Sequence, residues 1–519
     1  MQIIIPMSGI GKRFKDSGYK DPKPLIKVDN KPMIEHVINL FPGEKNISFI
    51  CNDLHLEKTN MKNTLKNICS YGKIYKVPLE NRMGPVHAVS LIFDKIKNDD
   101  EVIISYCDYG TEWEYHKFLS DTRLRNADGS IACYKGFHPH MLGNDNYAFL
   151  KEKNKDSRWM EEIKEKEFFT DNRMEEYASN GTYYFKNGKI MKYYFKKLME
   201  LNIKIKGEFY VSLVYNLMVK DNLNISIFEI KKMLQWGTPY DLEIYKGWSN
   251  YFKNIKKIQT PFFDKLNTTL ILPLAGRGSR FIKEGYKIPK PFLPINNKEM
   301  IIQAVNCLPE TKNKIFICLE DQNKKYNIKK LLHNEYKNSI IYSIDKTTEG
   351  QACTCELGLK KNNFDLDKPI LISACDNGVF YNTEKYQKLV DNVENDIIVW
   401  SFRNQQTSKV NPDMYAWLDV DKNDNIKHVS CKKFIYDNPL KTHAIIGTMF
   451  FRKAKYFLEG LKKNYQENIK TNNEYYVDDV LNQNIKDGLT VKIFEVENYI
   501  CWGTPNDYKT YNYWLEYFN

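Results

Sequence analysis

Two stretches carry glycines and fixed cations at matching spacing: GIGKRFKDSGYKDPKPL at residues 9–25 and GRGSRFIKEGYKIPKPFL at 276–293. Each follows an apolar run, Ile3-Ile4-Ile5-Pro6-Met7 and Leu270-Ile271-Leu272-Pro273-Leu274. A strand that ends in such a turn lets successive backbone N–H groups converge on an anion. Gly9 and Gly11, like Gly276 and Gly278, carry no Cβ to block close approach. Lys12 and Arg13 stand directly behind the first turn, Ser279 and Arg280 behind the second. Lys23 and Lys290 each sit between two prolines that fix the local backbone. Several cations converging on one turn suit a triphosphate. A solvated basic loop is the plainer alternative, and recurrence in register weakens it. Neither copy has the G-K-[ST] of a Walker loop or the third glycine of a dinucleotide fingerprint.

The repetition extends along the whole chain. Asp108 matches Asp376, Glu208 matches Glu474 and Trp236 matches Trp502, all 266 to 268 residues apart. Two homologous domains are the economical explanation, expected at 1–252 and 268–519 with a polar, basic linker at 253–267 and the end of a helix from Trp248 to about Lys256. Strands are expected in the first half at 2–6, 47–51, 73–77, 101–106, 130–135, 181–186 and 225–230, and helices at 32–40, 84–96, 188–201 and 208–220. Several strands are β-branched runs of the kind buried on both faces, which predicts an α/β domain with a mostly parallel sheet. Ligands of such sheets sit beyond the carboxyl ends of the strands, where both the glycine turn and Cys107-Asp108 fall.

At 519 residues the chain exceeds one ordinary core. A hydrophobic content of 42% with 14% aromatics excludes wholesale disorder. No run of eighteen apolar residues is present to span a bilayer, and the first residues read as a strand rather than a secretory leader; a cytoplasmic location without membrane insertion is expected. Eleven cysteines without C-x-x-C spacing argue against a disulfide framework or a zinc site and read as buried free thiols. The net charge of +12 is spread among asparagines without a basic block, so an acidic small molecule is expected rather than nucleic acid.

PMSGIGKRF…GYKDPKPL and PLAGRGSRF…GYKIPKPFL resemble the signature of the sugar-nucleotide pyrophosphorylase, or nucleotidyltransferase, superfamily, over nearly the full length of each half. Within it, GFHPHMLG, EKEFFTDNRMEEYASNGTYYF, GEFYVSLVYNLM and MLQWGTPYDL are similar to enzymes of capsule and other surface-polysaccharide loci, the second half being more diverged. The resemblance implies two tandem Rossmann-like, GT-A-like domains, each a mixed, mostly parallel sheet flanked by helices. It also implies attack of a substrate phosphate on the α-phosphorus of a nucleoside triphosphate, with Mg²⁺ as cofactor. A phosphate nucleophile is already anionic, so no serine, cysteine or histidine base is called for, and alignment and charge neutralisation remain.

Carried residue by residue, the resemblance assigns Gly9, Gly11, Lys12 and Arg13, with Gly276, Gly278, Ser279 and Arg280, to the triphosphate. Lys23 and Lys290 fall to the reacting phosphates, and Asp108 and Asp376 to the metal. A strand-end aspartate can equally cap a helix. Many relatives carry a second acid where this chain has Gly237 and Gly503; either phosphates and water complete the metal shell, or Glu208/Glu474 or Asp241/Asp507 contributes, the glutamates being preferred. Acids placed at helix N-termini for the helix itself are the alternative reading.

Base recognition is expected from NRMGPVHAV (81–89) and TEGQACT (348–354), where Gly84 and Gly350 admit the base edge and Gln351 could read it. Nothing there decides between CTP, UTP and dTTP; some relatives load polyol or phosphocholine-like phosphates onto CMP, which leans towards CTP. For a sugar, polyol or amino-alcohol phosphate, Lys166 and Lys432 align with the family lysine that meets the acceptor phosphate. Gly181 and Gly447 fall beside them, and Glu165, which in relatives contacts sugar hydroxyls, is replaced by Cys431. His138 and His140 could suggest a metal site but read better as a polar loop facing substrate, with no counterpart near 406–411. A single catalytic half with a regulatory partner, or a glycosyltransferase on the same architecture, are the competing readings. The second lacks its D-x-D motif at Asp108-Tyr109-Gly110 and Asp376-Asn377-Gly378.

Overall fold

The computed structural model describes residues 1–80, 82–143, 146–254 and 262–519, so Asn81 of the expected base turn and residues 255–261 of the expected linker lie outside it. The chain divides into two compact units, Met1–Ser249 and Asn250–Asn519. In the first, the parallel strands Lys73–Val77, Ile47–Asn52, Gln2–Pro6 and Val102–Ser105 lie side by side in that order, and Tyr177–Phe185 joins antiparallel to the last. From Tyr177–Phe185 the sheet forks. One branch holds Ala148–Glu152 and Met160–Glu165, the other Gly129–Tyr134 and Ile225–Glu229.

The side-chain pattern explains this sheet. Ile3 and Ile5 enter one core and Ile4 the other, as expected when successive residues point to opposite faces and both faces are covered. Helices Pro85–Ser90, Gly188–Glu200 and Val211–Lys220 cover the Ile4 face; Met33–Ile38, Met61–Ile68 and Tyr115–Leu124 cover the other. The second unit repeats the order with Ser339–Ile344, Asn313–Leu319, Thr269–Pro273, Ile370–Ile372 and His443–Phe451, then the fork into Ala416–Val420/Ile426–Cys431 and Ile397–Phe402/Val491–Glu495. Even a register shift recurs: pairing slips between Ser179 and Tyr183 in one unit and between Val399 and Ser401 in the other, around Gly181 (φ 96°) and Gly447 (φ 85°).

Local departures from expectation have local causes. The helix expected over 84–96 stops at Ser90, followed by a single tight turn at Phe93–Lys95. The helix expected from 208 begins at Val211, because the backbone of Phe209 is held by the base turn: its N–H donates to the Met83 carbonyl (2.7 Å) and its carbonyl accepts from Val86 N–H (3.2 Å). The antiparallel hairpin Ala148–Glu152/Met160–Glu165 and the helix Tyr115–Leu124 were not anticipated. Their exposed faces are charged, which dilutes the apolar periodicity. All eleven cysteines are free thiols. Among the described residues, no helix is long and apolar enough to cross a membrane.

Candidate functional site

Each glycine turn leaves the carboxyl end of its unit's central strand. Gly11 and Gly278 both adopt the left-handed conformation (φ 65°) and open a one-turn helix, Lys12–Asp16 and Ser279–Lys283. A Cβ on either would come within 3.3 Å of the Cβ of Lys23 or Lys290, so the turn lies directly against the Pro-Lys-Pro segment. At Gly9 and Gly276 a Cβ would meet no protein atom within 4 Å, so packing within the chain does not require glycine there. Lys12, Arg13, Ser279 and Arg280 are exposed.

The prolines deliver the lysines to the strand-end aspartates. Lys23 Nζ donates to Asp108 Oδ2, and Lys290 Nζ to Asp376 Oδ2 at 2.6 Å. These are partly covered pairs, with side chains 20–24% exposed. Burial alone would push the Asp376 carboxyl up, but the ammonium of Lys290, with Arg280 and Lys432 beyond it, holds it below the usual carboxylate range. Arg13 is near enough to act electrostatically on Lys166, Tyr210 and Asp241.

The second acids are placed differently. Asp241 accepts from Thr238 Oγ1 (2.6 Å) at the start of helix Pro239–Asn254, and Asp507 with Thr504 forms a reciprocal capping box at the start of Pro505–Phe518. Both serve helix ends. Glu208 lies against the base turn, where a Cβ on Gly84 would stand 2.9 Å from its own Cβ, and its carboxylate accepts from Tyr210 Oη (2.6 Å). No group of three His, Cys, Asp or Glu side chains among the described residues is arranged to hold a metal. Beside each strand-end aspartate instead is a glycine: a Cβ on Gly237 would lie 3.2 Å from Asp108 Oδ2, and one on Gly503 3.0 Å from Asp376 Oδ2. In each unit one partly exposed carboxylate, without a protein cage around it, could serve a hard divalent cation as a single protein ligand.

The turns at Gly84 and Gly350 are held to the residues just before helices Val211–Lys220 and Val477–Lys486. Gly84 has φ 93° and Gly350 φ 137°. In the second unit the Tyr475 N–H donates to the Glu349 carbonyl (2.8 Å) and the Ala352 N–H to the Tyr475 carbonyl (3.1 Å), as Phe209 does with Met83 and Val86. Gln351 is the first residue of helix Gln351–Lys361.

Lys166 and Lys432 end matching strands in the left-handed region, at φ 61° and 53°. Such backbone is uncommon for a lysine, and in each case the N–H is fixed by a carbonyl, Tyr147 (2.7 Å) or Tyr415 (3.1 Å). Lys166 Nζ donates to Tyr210 Oη (2.6 Å), which donates on to Glu208, so a hydrogen-bonded chain runs from Lys166 to the turn at Gly84. Sequence reasoning missed Tyr210; its one signal is the matching tyrosine, Tyr476, in the second copy. Lys432 Nζ donates to the Met414 carbonyl instead. Glu165 accepts from Ser212 Oγ (2.6 Å), and burial pushes its carboxyl up.

The histidine loop does not present a polar face to substrate. His138 is 3% exposed and packs against Tyr134 with ring centroids 4.5 Å apart and the rings tilted by 50°, while His140 Nε2 pairs with Tyr134 Oη at 2.9 Å. Aromatic surface from Tyr134 and Tyr147 draws both rings inward. Burial takes the His138 imidazole down to about 4 from its ordinary 6.5. Because the unfolded chain then protonates first, stability is complete above pH 6.5 and is lost as pH falls from 6.5 towards 4, by up to about 3 kcal/mol. Urea titrations of the first unit's transition at pH 7 and 4.5 should show a smaller loss for His138→Gln than for the parent.

Against known proteins, residues 2–222 match the profile described as nucleotidyl transferase. The chain is 31% identical over 147 residues to the Bifunctional protein GlmU of Campylobacter curvus, covering 27% of this chain and 30% of that protein. It is 54% identical over 39 residues to the 2-C-methyl-D-erythritol 4-phosphate cytidylyltransferase of Wigglesworthia glossinidia brevipalpis, 8% of this chain and 16% of that one. The chain thus spans under a third of the length of these curated relatives. Solved structures similar to it include a nucleoside-diphosphate-sugar pyrophosphorylase from Vibrio cholerae RC9 (20% identity, TM-score 0.39, 47% of this chain and 98% of that one). Another is the inositol-1-phosphate CTP transferase from T. maritima (15%, TM-score 0.37, 50% and 97%).

Proposed function

We propose, from the premise that the first unit belongs to the nucleotidyl transferase family, that each unit of this chain transfers a nucleotidyl group from a nucleoside triphosphate to a phosphorylated acceptor. An acceptor phosphate oxygen forms a new bond to the α-phosphorus as the bond from that phosphorus to the bridging oxygen of the β-phosphate breaks, and pyrophosphate leaves. The observation that carries the reading is the coincidence, in both units, of an open glycine turn, a proline-fixed lysine and a strand-end aspartate at one point.

In this reading Gly9, Gly11, Lys12 and Arg13 (Gly276, Gly278, Ser279 and Arg280) receive the triphosphate, and Lys23 and Lys290 neutralise charge that builds up on the reacting phosphates. Asp108 and Asp376 would hold Mg²⁺, which when bound polarises the phosphates and shields their charge. Lys166 and Lys432 orient the acceptor phosphate. The acceptor is a sugar, polyol or amino-alcohol phosphate, CTP is the triphosphate preferred over UTP and dTTP, and the product is an activated precursor for capsule or another surface polysaccharide. Incubating the full chain with Mg²⁺, each of the common triphosphates and a panel of sugar and alcohol phosphates, and weighing the products, tests this. CMP-linked products are expected. Pyrophosphate release with no nucleotide-linked product, or none with any pair, would overturn it.

A further inference from the structure

We propose that Asp478 is the residue through which the second unit reads the hydroxyls of its acceptor, replacing from the facing helix the strand-end Glu165 carboxylate of the first unit. This rests on the reading above that the second unit transfers to a phosphorylated acceptor. In the first unit, strand Met160–Glu165 ends on Glu165, and facing it from the first turn of helix Val211–Lys220 is Ser212, at 2.6 Å. In the second, strand Ile426–Cys431 ends on Cys431, and facing it from the first turn of helix Val477–Lys486 is Asp478, with Sγ 3.9 Å from Oδ2. Both positions recur at the same spacing along the chain. Taken singly, Glu165 becoming Cys431 looks like the loss of a carboxylate. Taken as a facing pair, the carboxyl has moved from the strand end to the facing helix, and a small polar side chain stands opposite it in both cases.

The surroundings leave Asp478 able to accept. A thiol is a weak donor, and a carboxylate has about four acceptor sites to satisfy. The Lys432 ammonium, though close enough to act electrostatically, donates to the Met414 carbonyl. Neighbouring Asp479 is occupied with its own loop, accepting from Thr471 Oγ1 at 2.9 Å, and is 7% exposed. Burial, reinforced by Asp479 and opposed by Lys432 and Cys431, pushes the Asp478 carboxyl up to about 6. A carboxylate faced by a weak thiol donor keeps acceptor sites for hydroxyls, so the second acceptor is a polyhydroxylated phosphate. Reached from the helix by a side chain one methylene shorter, it is gripped on a different edge from the first.

The test uses the full chain carrying Asp108→Ala, so that only the second unit turns over, with glucose 1-phosphate, inositol 1-phosphate, glycerol 3-phosphate and phosphocholine as probes. Asp478→Asn and Asp478→Ser should raise KM for the best hydroxylated acceptor roughly 10- to 100-fold, the range of a lost hydrogen bond to a charged group. KM for the triphosphate and the melting temperature should change little. Adding Cys431→Glu to Asp478→Ser should restore part of the loss, which a merely structural aspartate would not allow. If the Asp108→Ala chain turns over no probe, the proposed transfer by the second unit falls, and this assignment with it. If it turns over but Asp478 variants keep the acceptor KM, or phosphocholine is preferred, the assignment alone is overturned.

Discussion

Asp108→Ala should abolish nucleotidyl transfer by the first unit and leave the second intact, and Asp376→Ala should do the reverse. Each change removes the carboxylate that pairs with the proline-fixed lysine at the end of a strand in the middle of a sheet. Removal of a group stabilising transition-state charge typically lowers kcat about 10²- to 10³-fold, and here the same change also removes the Mg²⁺ ligand proposed above. Pyrophosphate release, followed separately with the acceptor preferred by each unit, would show one activity lost per variant. Retention of all turnover in one variant and loss of all turnover in the other would leave a single catalytic half and sink the two-site reading. Neither aspartate lies in a hydrophobic core, both being partly exposed, so the melting temperature should move little.

Gly350→Ala is expected to be the most damaging single methyl group for the second unit. The residue has φ 137°, and an added Cβ would stand 2.5 Å from the Tyr475 carbonyl oxygen and 2.6 Å from its nitrogen. Both backbone atoms are engaged in the bridge that fixes the base turn, so no side chain can swing aside. Unfavourable backbone and a broken bridge together predict a destabilisation of about 3 kcal/mol or more. The loss would be read as an earlier transition of the second unit in urea and weakened triphosphate binding. Gly276→Ala provides the contrast. Its Cβ faces open space, so stability should hold within about 0.5 kcal/mol while triphosphate KM rises. An unchanged transition for Gly350→Ala would show that the base turn is not held as described.

The glycine turns, the lysines and the aspartates were legible in the sequence because each is a local motif written twice, and spacing alone brings them into register. The core strands were legible for a related reason: Ile3-Ile4-Ile5 and Leu270-Ile271-Leu272 are apolar on both faces, and only a doubly covered sheet satisfies that. What could not be read were contacts between segments far apart in sequence. Glu208 and Asp241 are acids at matching positions in both copies, and position gives no direction to a side chain; one turns to Tyr210 and the other to its own helix end. Cys431 looked like a missing carboxylate because its facing residue, Asp478, lies 47 positions later. The left-handed backbone of Lys166 has no sequence signature at all, since it is imposed by the carbonyl of Tyr147. The histidine loop was misjudged because polarity was read from residue type, whereas the rings of Tyr134 and Tyr147 pack against the two imidazoles.

The matching strand order of the two units bears on how the chain reaches its native state. Each nascent sheet contains a slot, between Ile47–Asn52 and Val102–Ser105 or between Asn313–Leu319 and Ile370–Ile372, that a short apolar parallel strand must fill. Two such strands exist in one chain, so a fully denatured molecule offers each slot both a right and a wrong occupant, the hazard of tandem look-alike domains. Vectorial synthesis removes the ambiguity. The strand Gln2–Pro6 and every strand it needs emerge before Thr269–Pro273 has been made, and the first sheet can close while its competitor does not yet exist.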